Sequence, residues 1–102
     1  MLGRRRFADL VDRQLDLFGD DARELLAEAA EADDAWTHAS AEDSEELYGD
    51  YQLVVDAIGD GLLDVRETYA AALDERAVDE YRAAFDREAR KRFPRFVTPL
   101  ED

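Results

Sequence analysis

One apolar ladder constrains this chain more than any other feature. Leu47, Tyr51, Val54, Ile58, Leu62, Val65, Tyr69 and Ala72 follow one another at steps of three or four residues. Each such step returns to nearly the same side of an α-helix. Val55, Leu63 and Leu73 widen the ladder into a stripe, while Asp50, Asp56, Asp60, Asp64, Arg66 and Glu67 fall on the other side. No proline interrupts the run. The spacing predicts one long central helix, from about residue 41 to 73, whose stripe the rest of the chain must cover. Gly49, Gly59 and Gly61 each cost about 1 kcal/mol relative to alanine inside a helix, so a kink or break is expected at Gly59-Asp60-Gly61.

The remaining segments read as shorter helices. Phe7, Leu10, Val11, Leu15 and Phe18 set the face of a first helix over residues 4–18. Gly19 can end it, and Asp20 or Asp21 can cap a second, with Asp21-Ala22-Arg23-Glu24 spaced as a capping box. That second helix, with Leu25, Leu26, Ala29 and Ala30 on its apolar face, runs to about Ala35. Passing over Gly19 gives the alternative of one helix from residue 4 to 35. Residues 36–44 are expected to form a loop, with a helix-start signature at Ser40-Ala41-Glu42-Asp43. Asp74 can cap a last helix over about residues 75–93, built on Val78, Tyr81, Phe85 and Ala89 and ended by Pro94. No alternating run suggests a strand.

The expected architecture is therefore all-α: a single helical domain over residues 1–102, folded as an antiparallel bundle of three or four helices. The N-terminus (1–4) is expected to fray, and the C-terminal tail (94–102) to be extended, with Phe96, Val97 and Leu100 able to dock on a groove. The stretch from Glu45 to Leu73 alone, as a helix, would be about 43 Å long, longer than any neighbour. Its uncovered end argues for association with a second chain, unless the helix breaks at the glycines.

Charge narrows the function classes. The net charge is −14, and it is unevenly spread. Residues 19–80 hold 20 acids and three arginines, whereas residues 1–18 and 81–102 carry +1 and +2. An acidic field of this size repels nucleic-acid backbones and anionic membranes and attracts basic proteins or divalent cations. It can also serve solubility alone. No run is apolar enough to span a bilayer, and the basic start Arg4-Arg5-Arg6 has no apolar segment behind it, so a cytoplasmic location is expected.

Motifs for chemistry are sparse. The chain has no cysteine, so thiolate catalysis and thiolate metal sites are excluded. The twelve residues 56–67 partly match a calcium loop, with Asp56, Asp60, Gly61, Asp64 and Glu67 at fitting positions. Ile58 stands where the third ligand belongs, which is a defect in a loop and natural in a helix core. Asp34, His38 and Glu42 are spaced four apart, but a helix starting at Ser40 would separate them. The Glu-x-x-His pattern of carboxylate bundles is absent, and no serine has a plausible base. Tyr48, Tyr51, Tyr69 and Tyr81 read as residues of the core edge.

The expectation is a non-enzymatic helical protein without cofactor, acting by protein–protein contact as a homodimer or an accessory subunit. Trp36, Phe93, Phe96 and Leu100 are the expected contact residues, with Arg4, Arg5 and Arg6 as electrostatic partners of an acidic surface. Two alternatives are a calcium-binding module through Asp56, Asp60, Asp64 and Glu67, and an acidic decoy occupying a nucleic-acid-binding surface.

Overall fold

The structure, a computed structural model, describes residues 6–97. Four helices occupy them: α1 (Ala8–Asp21), α2 (Arg23–Thr37), α3 (Ser44–Ala70) and α4 (Glu75–Arg92). The protein is an all-α bundle organised around the long helix α3, as the ladder requires. Arg4, Arg5 and Leu100 lie outside the described residues, as do residues 1–4 at the expected frayed start.

α3 runs without a break through Gly59-Asp60-Gly61, so the expected interruption there does not form. It also starts later and ends earlier than the ladder implied. At its start, the Ser40 carbonyl accepts from the N–H groups of Asp43 (3.1 Å) and Ser44 (2.9 Å), which closes residues 40–43 into a turn of their own. At its end, the N–H groups of Ala72 and Leu73 bond the carbonyls of Tyr69 and Ala70 at 3.0 Å, a tighter turn than the α-helix. Asp74 then caps α4 as its position suggested: Oδ1 accepts from the N–H groups of Arg76 (3.0 Å) and Ala77 (2.9 Å).

Gly19 does not end the first helix. α1 continues to Asp21, where the Ala22 N–H still donates to the Phe18 carbonyl and the Leu26 N–H to the Ala22 carbonyl, both at 2.8 Å. α1 and α2 are thus joined through the single residue Ala22, with no side-chain cap from Asp20 or Asp21. The observed geometry is close to the one-helix alternative. Trp36 belongs to α2 rather than to a loop; of the tail, residues 93–96 form a turn, with the Phe96 N–H bonded to the Phe93 carbonyl at 3.0 Å, and residues 98–102 lie outside the described residues.

The core sits at one end of an elongated body of 53 × 24 × 22 Å. Phe7, Val11, Leu15 and Phe18 enter it from α1, Ile58, Leu62 and Ala70 from the second half of α3, and Ala77, Tyr81, Ala84, Phe85 and Ala89 from α4. Val97 closes it from the tail. Tyr81 stands at the centre: its ring meets Phe7 at 5.5 Å, Tyr69 at 4.8 Å and Phe85 at 6.0 Å. Its hydroxyl donates to Gln14 Oε1 at 2.8 Å, and burial pushes its pKa up to about 12.

Two glycines sit where aromatic rings approach. A Cβ on Gly61 would lie 2.9 Å from Phe18 Cε1, and one on Gly19 would lie 3.9 Å from Phe93 Cζ. Phe18 and Phe93 are themselves an edge-to-face pair at 5.6 Å. A Cβ on Gly49 would meet nothing within 4 Å. Gly49→Ala is therefore expected to stabilise by about 1 kcal/mol through helix propensity alone. In Gly61→Ala the same gain is outweighed by an overpacking cost of roughly 1–3 kcal/mol. Thermal melts of the two variants should move in opposite directions; a stabilised Gly61→Ala would show that the Phe18 ring yields freely.

An ion-pair network ties α3 to α4. Arg66 Nη1 donates to both oxygens of Asp86 (2.8 and 3.1 Å) and its Nε to Glu67 (2.9 Å), while Arg82 forks onto Glu67 at 2.6 and 2.9 Å. The Arg82 hydrogen bonds, aided by Arg66 and opposed by desolvation, hold the Glu67 carboxyl below the usual glutamate range. A depressed folded-state pKa stabilises above the unfolded value, and that contribution is lost as pH falls through the folded one. Glu67→Gln should therefore cost about 0.5 kcal/mol or less at neutral pH, because the side chain is 40% exposed. The gap to the parent protein should close in acid, as urea midpoints near pH 7 and about pH 3 will show. A gap that persists in acid would assign the loss to shape rather than charge.

Candidate functional site

α2 and the first half of α3 form a two-helix arm that reaches beyond the core. α2 is an alanine-rich helix that lies antiparallel against α3, and Ala29 is its one fully buried residue. α3 contributes no buried residue before Ile58. The physical reason is that α1 and α4 cover only the core end, so the arm helices have each other and little else. Near the tip, Trp36 stacks on Tyr51 with ring centroids 6.2 Å apart and planes within 7°, and tilts against Tyr48 at 4.9 Å.

The two flanks of the arm differ. One carries the tail: Arg95 pairs with Asp33. The other holds a groove of about 320 Å³ lined by Glu28, Glu31, Ala32, Ala35, Leu47, Asp50 and Val54. Its floor is apolar and its rim acidic. At 100° per residue, Asp33 falls on a different side of α2 from Glu28 and Glu31, whereas Tyr51 lies on α3 within about 60° of the groove residues Leu47 and Val54. Leu53 follows Asp50 by three residues and is 71% exposed. Glu28, Glu31 and Asp50 have no ion-pair partner among the described residues. A smaller recess of about 200 Å³ lies between α1 and α4, but Arg92 already bonds its Asp12 at 3.1 Å and approaches its Glu88 at 3.6 Å.

The expected contact residues divide. Trp36 is half-buried on the arm, beside Tyr48, which is 40% exposed. Phe93 and Phe96 pack against the chain's own core, which leaves less of them for a partner. Arg6 lies 5.2 Å over the Phe7 ring and is exposed, with no acidic partner among the described residues.

The calcium-loop residues are part of α3. Asp56, Asp60 and Asp64 line its exposed side, Glu67 is held by two arginines, and Ile58 is fully buried in the core. A loop that wraps an ion is therefore not formed. His38 follows α2, its Nδ1 2.9 Å from the Asp34 carbonyl oxygen, and Glu42 lies beyond the turn at Ser40. No group of three potential metal ligands comes together among the described residues.

No described helix is long and apolar enough to cross a membrane. The chain matches no protein-family model, no curated protein and no solved structure. The groove residues were only half legible. Leu47 and Val54 stand in the ladder, but Glu28, Glu31, Ala32 and Ala35 fall outside the apolar face that the spacing assigns to the second helix. The signal that bears on them is the mismatch between the ladder's length and the helices available to cover it.

Proposed function

We propose that the protein acts by protein–protein contact, without catalysis, as an accessory subunit of a larger assembly or a homo-oligomer, with the α2–α3 arm as its contact surface. The observation that carries this reading is the arm itself: two long helices of which α2 buries a single alanine, with a groove open along one flank. Two packed helices leave the far side of each apolar stripe exposed, and a third or fourth helix is the usual means of covering it. At the core end, by contrast, the helices are tied to one another, and Arg92 clamps α1 through Asp12 and Asp16.

The test is association of the full chain and of Leu53→Asp, which places a carboxylate beside the groove at an exposed position. Native mass spectrometry reads self-association, and affinity capture from an extract of the source cells reads foreign partners. The expected result is an oligomer or a captured protein that the variant loses while its melting curve is unchanged. Association that survives the substitution would move the contact surface off the arm.

A further inference from the structure

We infer that the occupant of the α2–α3 groove is a basic amphipathic helix of a partner protein. This rests on the contact function proposed above and names the chemistry of the partner. The argument begins at the floor. Ala32 and Ala35 present short side chains on α2, opposite Leu47 and Val54 on α3. Small residues on one wall let a backbone approach closely, and branched ones on the other fill the gaps between its side chains. From Glu28 to Ala35 the groove runs along about 10.5 Å of α2, which is two helical turns. A helix laid along it would use apolar anchors at i, i+3 or i+4, and i+7.

The rim sets the charge. Glu28, Glu31 and Asp50 border an apolar floor and have no cation against them among the described residues. The surrounding arm deepens the field: residues 23–56 contain eleven acidic residues and one arginine. Lysines or arginines flanking an apolar stripe match both features at once. A divalent cation would match the rim and leave the floor uncovered, and a nucleic acid would be repelled.

A second copy of this chain is a poor occupant. Two-fold pairing of the arms would set like rims against each other, because a two-fold interface brings the same patch to both sides. The basic face of α4 carries Arg87 and Lys91, both exposed, but the apolar residues of that helix already lie in its own core. The chain offers its neighbour charge without a free apolar stripe.

The experiment titrates the full chain with a synthetic helical peptide that carries leucines at i, i+3, i+4 and i+7 and lysines elsewhere. Controls are a peptide of the same composition with the leucines scrambled and a striped peptide with glutamate in place of lysine. Calorimetry gives the affinity, and fluorescence of Trp36, the only tryptophan, reports on the arm. The striped lysine peptide should bind at least about tenfold more tightly than the scrambled one, and the glutamate peptide should not bind. The double variant Glu31→Lys/Asp50→Lys should weaken binding about tenfold or more, whereas Glu45→Lys/Asp56→Lys, the same charge change on the side of α3 turned away from the groove, should weaken it less than about threefold. Equal binding of striped and scrambled peptides, or equal loss in the two double variants, overturns the groove assignment in favour of plain charge attraction. If no peptide binds and the chain forms a dimer that Leu53→Asp dissociates, the basic-helix occupant is wrong and the contact function stands. If no peptide binds and Leu53→Asp alters no association, both readings fall.

Discussion

Ile58→Asp is expected to remove cooperative unfolding at neutral pH, or to lower the melting temperature by roughly 20 °C or more. Ile58 has no exposed surface and lies in the core with Phe7, Leu62 and Phe85. The substitution loses about 1.5–3 kcal/mol of apolar burial. It also places a carboxyl group among apolar side chains, where an unpaired charge costs several kcal/mol or must be neutralised by taking up a proton. A domain of this size has about 5–15 kcal/mol of stability in total, so the sum approaches or exceeds the margin. The same position is the third ligand of the calcium-loop alignment, where an aspartate would complete the set and improve binding. Circular-dichroism melts with and without calcium separate the two cases. The helix observed for residues 44–70 implies a destabilised variant that calcium does not restore. A variant that melts at or above the parent temperature in calcium would sink that expectation and reinstate a binding loop.

Phe85→Ala should cost about 3–5 kcal/mol, the range for truncating a fully buried aromatic residue. The ring has no exposed surface and packs beside Tyr81, whose own ring joins Phe7 on α1 and Tyr69 on α3. Removing it opens a void where α1, α3 and α4 meet. At about 4–8 °C per kcal/mol for a domain near this length, the melting temperature should fall by at least about 12 °C. Leu53→Ala provides the internal comparison. It also shortens a large apolar side chain, but one that is 71% exposed, so its effect should stay within about 0.5 kcal/mol. Similar losses in the two variants would mean that the arm is as well packed as the core end.

Glycine shows where local reading fails. Gly19, followed by two aspartates, has the form of a helix stop and restart. The helix continues through it, because the backbone hydrogen bonds to Phe18 and Ala22 are kept and the missing side chain faces Phe93. Gly59-Asp60-Gly61 has the form of a break, yet Gly61 stands inside an intact helix where Phe18 approaches. At Gly61 the reason for glycine is a ring from a distant segment, and a window of neighbouring residues does not contain that ring; at Gly19 a Cβ would make only ordinary van der Waals contact with Phe93, so packing there does not require glycine. Asp74 was legible for the opposite reason, since a cap satisfies the N–H groups two and three residues ahead of it.

By itself, the sequence determined the helical class, the position of the long helix and the acidic character of the middle of the chain. These follow from residue spacing and composition, which are properties of the chain before it folds. Only the tertiary structure decided which half of α3 is covered. α1 and α4 converge on its second half, and the tail takes one flank of the arm through Arg95 and Asp33. What remains open is the groove between Glu28, Glu31 and Asp50. The stripe on α3 has the same period along its whole length, so no local signal separates the part that becomes core from the part left for a partner. That division depends on which helices lie beside it, and packing between distant segments sets it.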